Sequence, residues 1–145
     1  MRVVIQRVKE AHVSVEGNIV GQIGQGLMVL VAIHREDTPD KIPYFAEKIP
    51  HLRIFRDDDD KMNRSLLDVQ GGILVISQFT LYGDCKTGRR PSFLESAPPE
   101  IAEALYQQLI EALEKKITPV ETGVFGAYMQ VSLVNDGPVT LVLDH

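Results

Sequence analysis

The sequence predicts an α+β fold: a mostly antiparallel sheet with a barrel-like core and two main helices. Three observations predict it. Apolar and polar residues alternate through residues 2–33 (Val3 and Ile5, Val13 and Val15, Ile19 and Ile23), which is the period of a half-buried sheet. Strand-like patterns return near the C-terminus, in Tyr128 to Val134 and Val139 to Leu143. Between them, two stretches switch to helical spacing, one carrying Ile42, Phe45, Ala46 and Ile49 and the other Ile101, Leu105, Leu109 and Leu113.

Taken in order, Glu16-Gly17-Asn18 is a hairpin turn, since Gly and Asn tolerate positive φ. Gly24-Gln25-Gly26 is a second turn, and Leu27 to Ile33 is a nearly all-apolar central strand. Gly21, Gly24 and Gly26 do not make a phosphate loop, because a strand former follows them, with no helix start and no Lys-Ser/Thr. A helix is expected over 38–52, with Thr38 as cap, Pro39 in the first turn and Pro50 ending it. Leu52-Arg53-Ile54-Phe55 has the composition of a short strand. The acidic run Asp57 to Asp60 lacks the alternating ligands and the turn glycine of a calcium loop and is expected to be a solvated loop. Gly71-Gly72 leads into Ile73 to Ser77, which has the character of a strand buried on both faces. The clearest helix is 97–116, capped by Ser96 or a neighbour, with Pro98, Pro99 and Glu100 in its first turn and Lys115-Lys116 complementing its C-terminal dipole. Asn135-Asp136-Gly137-Pro138 is expected to be a turn between the last two strands.

With 145 residues the chain is expected to form a single domain, 1–145. A net charge of −5 means that any nucleic-acid contact must come from a local basic patch. The single cysteine, Cys85, excludes an intramolecular disulfide and a multi-cysteine zinc site, and it fits a reducing compartment. Charges interrupt the apolar residues of Met1 to Arg7, unlike a signal peptide, and no apolar run approaches the ~20 residues of a membrane span. A cytoplasmic protein without membrane association is expected.

No Gly-x-Ser-x-Gly elbow surrounds any serine, and the histidines at 12, 34, 51 and 145 show no metal-ligand spacing. No metal and no cofactor are expected. Two segments remain. Ser77-Gln78-Phe79-Thr80 offers hydroxyls, an amide and backbone N–H groups at the end of an apolar strand, a pattern that fits a ligand site and also a strand running into an edge turn. Asn135-Asp136-Gly137-Pro138-Val139-Thr140 combines the conformational freedom of Gly with an X-Pro bond, for which the cis form costs little. A third stretch, Lys86-Thr87-Gly88-Arg89-Arg90, has three basic residues in five, between Tyr82 and Phe93. It is the one place in this acidic chain that would welcome a phosphate backbone, although its composition alone also fits a solvated loop.

Ser77-Gln78-Phe79-Thr80-Leu81-Tyr82-Gly83 and Asn135-Asp136-Gly137-Pro138-Val139-Thr140 together closely resemble the two signature motifs of the D-aminoacyl-tRNA deacylases. Met1 to Arg7, Lys61-Met62-Asn63, Gly88-Arg89-Arg90-Pro91 and Gly123-Val124-Phe125-Gly126-Ala127 extend the likeness over the whole chain. Thr87 departs from it, standing where relatives often carry a basic residue.

The resemblance implies a homodimer with active sites at the subunit interface, acting on the aminoacylated 3′ end of tRNA. The reaction would be hydrolysis of the ester of D-aminoacyl-tRNA, and of glycyl-tRNA mischarged on tRNA(Ala). It further implies that Gly137-Pro138 is cis and reaches into the partner's pocket, excluding an L side chain. Arg7 would fix that segment. Ser77, Gln78 and Phe79 would shape the adenosine and ester pocket, with Phe125 and Met129 lining it. Backbone N–H groups near Phe79 and Thr80 would form an oxyanion hole. Thr80 is either a nucleophile or a positioning group. No adjacent base is evident to activate it, so assistance by the 2′-OH of the terminal ribose is favoured. Lys86, Arg89 and Arg90 would touch acceptor phosphates. The rival expectation is a dimeric module that binds RNA ends through the same loop without turnover.

Overall fold

The computed structural model describes residues 1–145. In chain order the elements are β1 (Arg2–Val15), β2 (Asn18–Ile23), β3 (Gly26–Ala32), α1 (Ile42–His51), β4 (Phe55–Arg56), β5 (Met62–Arg64), β6 (Gly72–Ser77), α2 (Pro99–Glu114), β7 (Val120–Thr122) and β8 (Gln130–Asp144). Short 3₁₀ turns precede α1 (Pro39–Lys41) and follow β6 (Phe79–Tyr82).

One six-stranded sheet runs β2-β1-β3-β6-β7, with β8 on the other side of β1, while β4 and β5 form a separate small hairpin. The expected antiparallel pairing describes β1 with β2, β3 and β8. The β3–β6 and β6–β7 pairs are parallel, so the sheet is mixed. Parallel neighbours need long crossovers. The segment carrying α1 joins β3 to β6, and the segment carrying α2 joins β6 to β7. The sheet curls until β2 meets β7: a Cβ on Gly21 would lie 2.5 Å from the Thr122 carbonyl oxygen. The result is a nearly closed barrel.

Period-two alternation sorts the strand residues into two cores. Val3, Ile5, Leu27, Val29, Val31, Ile73 and Val75 pack with the buried faces of both helices. Met28, Leu74 and Ile76 face the other way and pack with Val8, Ala11, Val13 and Ile23. β6 is therefore buried on both faces, as its unbroken apolar run predicts.

Several local expectations need correction. Positive φ falls on Glu16 and Gly17, not Asn18, which already belongs to β2. The strand expected at 52–55 is only Phe55–Arg56, and α1 starts at Ile42, after the 3₁₀ turn. Thr38 hydrogen-bonds to Asp40 and caps no helix. The buried face of α2 is Leu105, Tyr106, Leu109, Ile110 and Leu113, whereas Ile101 is 49% exposed. No side chain caps α2, and Lys116 pairs with Glu47 of α1 at 2.6 Å instead of with its own helix end. The chain does loop out just past Asn135, but the loop is a bulge within one long strand, β8, and not a link between two strands.

Candidate active site

β6 carries the first motif. Ser77 is in register with Val31 of β3, and the Gln78 N–H donates to the Val31 carbonyl at 2.7 Å, the last tie before the chain turns. The 3₁₀ turn Phe79–Tyr82 follows. Its Leu81 N–H donates to the Gln78 carbonyl at 3.2 Å, and the Gly83 N–H donates to the Thr80 carbonyl at 2.9 Å. Ser96 Oγ donates to the Phe79 carbonyl at 3.0 Å, and Arg2 Nη1 donates to the Leu81 carbonyl at 2.9 Å. As the first residues of a helical turn, Phe79 and Thr80 have no carbonyl of that turn for their N–H groups to donate to.

Beside the turn opens a cavity of about 700 Å³. Ser77, Gln78, Phe79, Phe125 and Met129 all line it, so five of the residues singled out in the sequence come together here. Thr80 is exposed next to it, and its Oγ1 accepts a hydrogen bond from Gln78 Nε2. An amide cannot take up the hydroxyl proton, so this contact orients Thr80 without activating it.

Pattern reasoning missed Tyr106, which also lines the cavity. Its hydroxyl donates to the Val75 carbonyl at 2.7 Å, its ring is tilted against Phe125 at 5.8 Å, and burial raises its pKa so that it stays a donor. It sits one position past Leu105 on an apolar helix face, where only its polar tip could have marked it. Tyr128 at the cavity mouth was equally unmarked, and Phe93 beside it was marked only as a flank of the basic stretch. On the far side of the turn, Tyr82 lies under Arg2, 4.9 Å from the ring centroid, and burial first, then the charge of Asp37, pushes its pKa up to about 12.

The basic loop leaves from the cavity rim. Asp84 and Ser92 exchange backbone hydrogen bonds at 2.8 and 2.9 Å, closing the loop at its base. Phe79 and Phe93 meet edge to face at 5.0 Å beneath it. Lys86, Arg89 and Arg90 are exposed and form no ion pair with the chain's own carboxylates.

The second motif lies elsewhere. Thr140 is in register with Gln6 of β1, and Asn135 with Val8, so residues 136–139 loop out opposite Arg7. Gly137-Pro138 is cis and exposed. Arg7 continues the inward parity of Val3 and Ile5 and is only 3% exposed. Its Nε donates to the Asp136 carbonyl at 3.1 Å and lies 3.3 Å from the Asp136 carboxylate, and its Nη1 donates to the Ile54 carbonyl at 2.5 Å. Asn135 Oδ1 accepts from the Val139 N–H at 3.0 Å, bridging the base of the loop.

Within one chain the two motifs do not meet. Arg7 is in register with Leu27 near the start of β3, whereas Ser77 is in register with Val31 near its end. Four residues of strand separate them, about 13 Å along the sheet.

Residues 4–144 match the family model described as D-Tyr-tRNA(Tyr) deacylase. The D-aminoacyl-tRNA deacylase of Thermosipho africanus is 60% identical over 144 residues, 99% of this chain and 97% of that relative. The one from Bacillus cytotoxicus is also 60% identical, with 99% of each chain covered. A solved structure named c-Myc DNA Unwinding Element Binding Protein superposes with a TM-score of 0.94 at 42% identity, over 100% of this chain and 99% of that one. A probable eukaryotic D-amino acid tRNA deacylase shares the fold, with a TM-score of 0.83 at 21% identity over 99% and 98% of the two chains. With a family match spanning nearly all its length and relatives 60% identical from end to end, the chain belongs to the D-aminoacyl-tRNA deacylases, hydrolases of aminoacyl-tRNA ester bonds.

Proposed function

We propose that the chain works as a homodimer whose pockets are composite: each takes its Ser77–Thr80 turn from one protomer and its Gly137-Pro138 loop from the other. The observation that carries this is the separation of the two motifs at opposite ends of β3, with the loop exposed on the outermost strand. Held by Arg7 and Asn135, the loop is a rigid, nearly side-chain-free wall. Set into the partner's cavity, its carbonyls would hold the α-amino group of the substrate and fill the space that an L side chain needs. Selection then works by clash with the wrong enantiomer. A D side chain points to solvent, which tolerates many amino acids, and glycine has nothing to clash, so glycyl-tRNA carried on tRNA(Ala) is also a substrate.

In the ester step the N–H groups of Phe79 and Thr80 receive the developing oxyanion. Ser77, Gln78, Phe79, Phe125 and Met129 enclose the ester and the terminal adenosine. Water attacks with help from the 2′-OH of the ribose, and Thr80 positions groups. Lys86, Arg89 and Arg90 hold acceptor phosphates beside the cavity. The working compartment is the cytoplasm, where charged tRNA is used; no helix is long and apolar enough to cross a membrane.

The test compares hydrolysis of D-tyrosyl-tRNA and L-tyrosyl-tRNA, with rapid turnover expected only for the D form. Equal rates, or acceptor binding without turnover, sink the reading. The composite site is tested by mixing a loop variant with a turn variant, each first selected for lost turnover of D-tyrosyl-tRNA on its own. Mixed dimers regain one intact pocket, and a mixture that stays inactive removes the cross-subunit arrangement.

A further inference from the structure

We infer that Ser96 is a positioning residue for the oxyanion donors, an inference that rests on the proposed role of the Phe79 and Thr80 amides. In a trans peptide the C=O and N–H of one plane point in opposite directions. The carbonyl of Phe79 and the N–H of Thr80 share such a plane. Whatever grips that carbonyl therefore aims that N–H. Ser96 Oγ grips it, donating at 3.0 Å.

The neighbouring plane, which carries the Phe79 N–H, is held at the Gln78 carbonyl by the Leu81 N–H at 3.2 Å. That tie is internal to the turn. Ser96 supplies the external one, which fixes the turn to the rest of the fold. Its own position is set by backbone: Ala97 N–H donates to the Ile33 carbonyl at 2.9 Å, and Arg35 N–H donates to the Glu95 carbonyl at 3.0 Å. His34 and Ser96 face each other in an isolated antiparallel bridge. The segment 95–97 thus runs as a short continuation beside the end of β3, the strand that also anchors Gln78. A hydrogen bond accepted at the carbonyl also polarises the amide and makes its N–H a better donor. Ser96 is half-buried and lines the cavity, yet its one hydroxyl proton is committed to this bond, so it has none to donate to the substrate and acts through the Thr80 amide.

The experiment is steady-state deacylation of D-tyrosyl-tRNA by Ser96→Ala and Ser96→Thr, with the Thr80 amide followed by NMR. Ser96→Ala is expected to lower kcat about three- to tenfold, the effect of one neutral hydrogen bond, with KM within about twofold. The Thr80 amide proton should move upfield, and Ser96→Thr should restore both kcat and the shift. A kcat for Ser96→Ala within about twofold of wild type, or a change confined to KM, overturns the inference. A loss of kcat accompanied by a lower melting temperature and by failed rescue with Thr overturns it too, because the role is then structural. If the wild-type protein leaves D-tyrosyl-tRNA intact, the functional reading itself fails, and the NMR arm still tests the hydrogen bond.

Discussion

Arg7 and Gly137 stand so close that a Cβ on residue 137 would lie 2.9 Å from Arg7 Nη2. The same atom would lie 2.9 Å from Val139 Cγ2, and φ at Gly137 is +129°, where L side chains are strained. Gly137→Ala must therefore shift the loop. Because the loop is exposed and bulges away from the sheet, the core should survive. The preference for D-tyrosyl-tRNA over L-tyrosyl-tRNA should fall about tenfold or more. Rate measurements on both substrates check this, and an unchanged ratio would remove the loop from chiral selection.

Arg7→Ala should cost stability as well as activity. It strips a donor from the carbonyls of Asp136 and Ile54 and leaves the Asp136 carboxylate without its partner. The expected loss is about 2 kcal/mol, below the usual figure for a buried pair because the Asp136 side chain keeps 36% of its exposure. Arg7→Lys should recover little, since one ammonium cannot reach both carbonyls as the guanidinium fork does. Urea unfolding measures the difference, and an Arg7→Ala protein as stable as wild type contradicts it.

Thr80→Ala separates nucleophile from positioning group. With the Gln78 amide as the only hydrogen-bond partner of its hydroxyl, Thr80 should be dispensable for bond making, and about a tenth of kcat or more should remain. A substrate ending in 2′-deoxyadenosine should lose far more. Full activity on that substrate, or near-total loss in Thr80→Ala, would reverse the assignment.

The sequence made some of this legible. Ile73 to Ser77 was readable because a strand buried on both faces needs an unbroken apolar run. Ile42, Phe45, Ala46 and Ile49 were readable because one helical face carries them all to the core. The parallel pairing of β6 with β3 and β7 was not, since local composition carries no mark of which strand lies beside which. Gly137-Pro138 reads as a turn because its residues suit one, yet β8 resumes pairing with β1 at Thr140 and keeps a single course. Ser96 has the chemistry of a helix cap and lies just before α2, but its hydroxyl reaches the Phe79 carbonyl instead. Long-range partners decided each of these cases.

Removing charge from the basic loop should weaken tRNA use with little effect on chemistry. Lys86, Arg89 and Arg90 point from the cavity rim with no intramolecular carboxylate to satisfy them. Each change to Ala should raise KM for D-aminoacyl-tRNA, and each should flatten the dependence of log affinity on log salt by about one unit or less. kcat should hold. Salt titrations of the three variants test this, and unchanged slopes would assign the phosphate contact elsewhere.

Asp37 makes a pH signature of stability. Burial alone would raise its pKa, but hydrogen bonds from Lys41, the terminal amine of Met1 and the His34 N–H outweigh that and hold it below its ordinary 3.8. A depressed carboxylate pKa contributes stability that is present above the unfolded value and lost as pH falls through the folded one. Asp37→Asn should therefore melt well below wild type at about pH 6, and the gap should narrow once the pH drops under about 4. A gap of constant size across that range would contradict the account.

The close approach of Gly26 and Gly72 has a consequence at the far end of both strands. A Cβ on Gly26 would come within 1.9 Å of the Gly72 carbonyl oxygen, so the two strands touch backbone to backbone where β3 and β6 begin. That contact acts as the zero mark of a gauge. Counting outward from it, Val31 meets Ser77 five steps later, and Ser77 faces the cavity instead of the opposite core. A slip of one residue would exchange the two faces of β6 and turn the hydroxyl away. A larger side chain at residue 26 would force β6 off β3 at that point, and the displaced register would carry along the pair to a hydroxyl roughly 17 Å away.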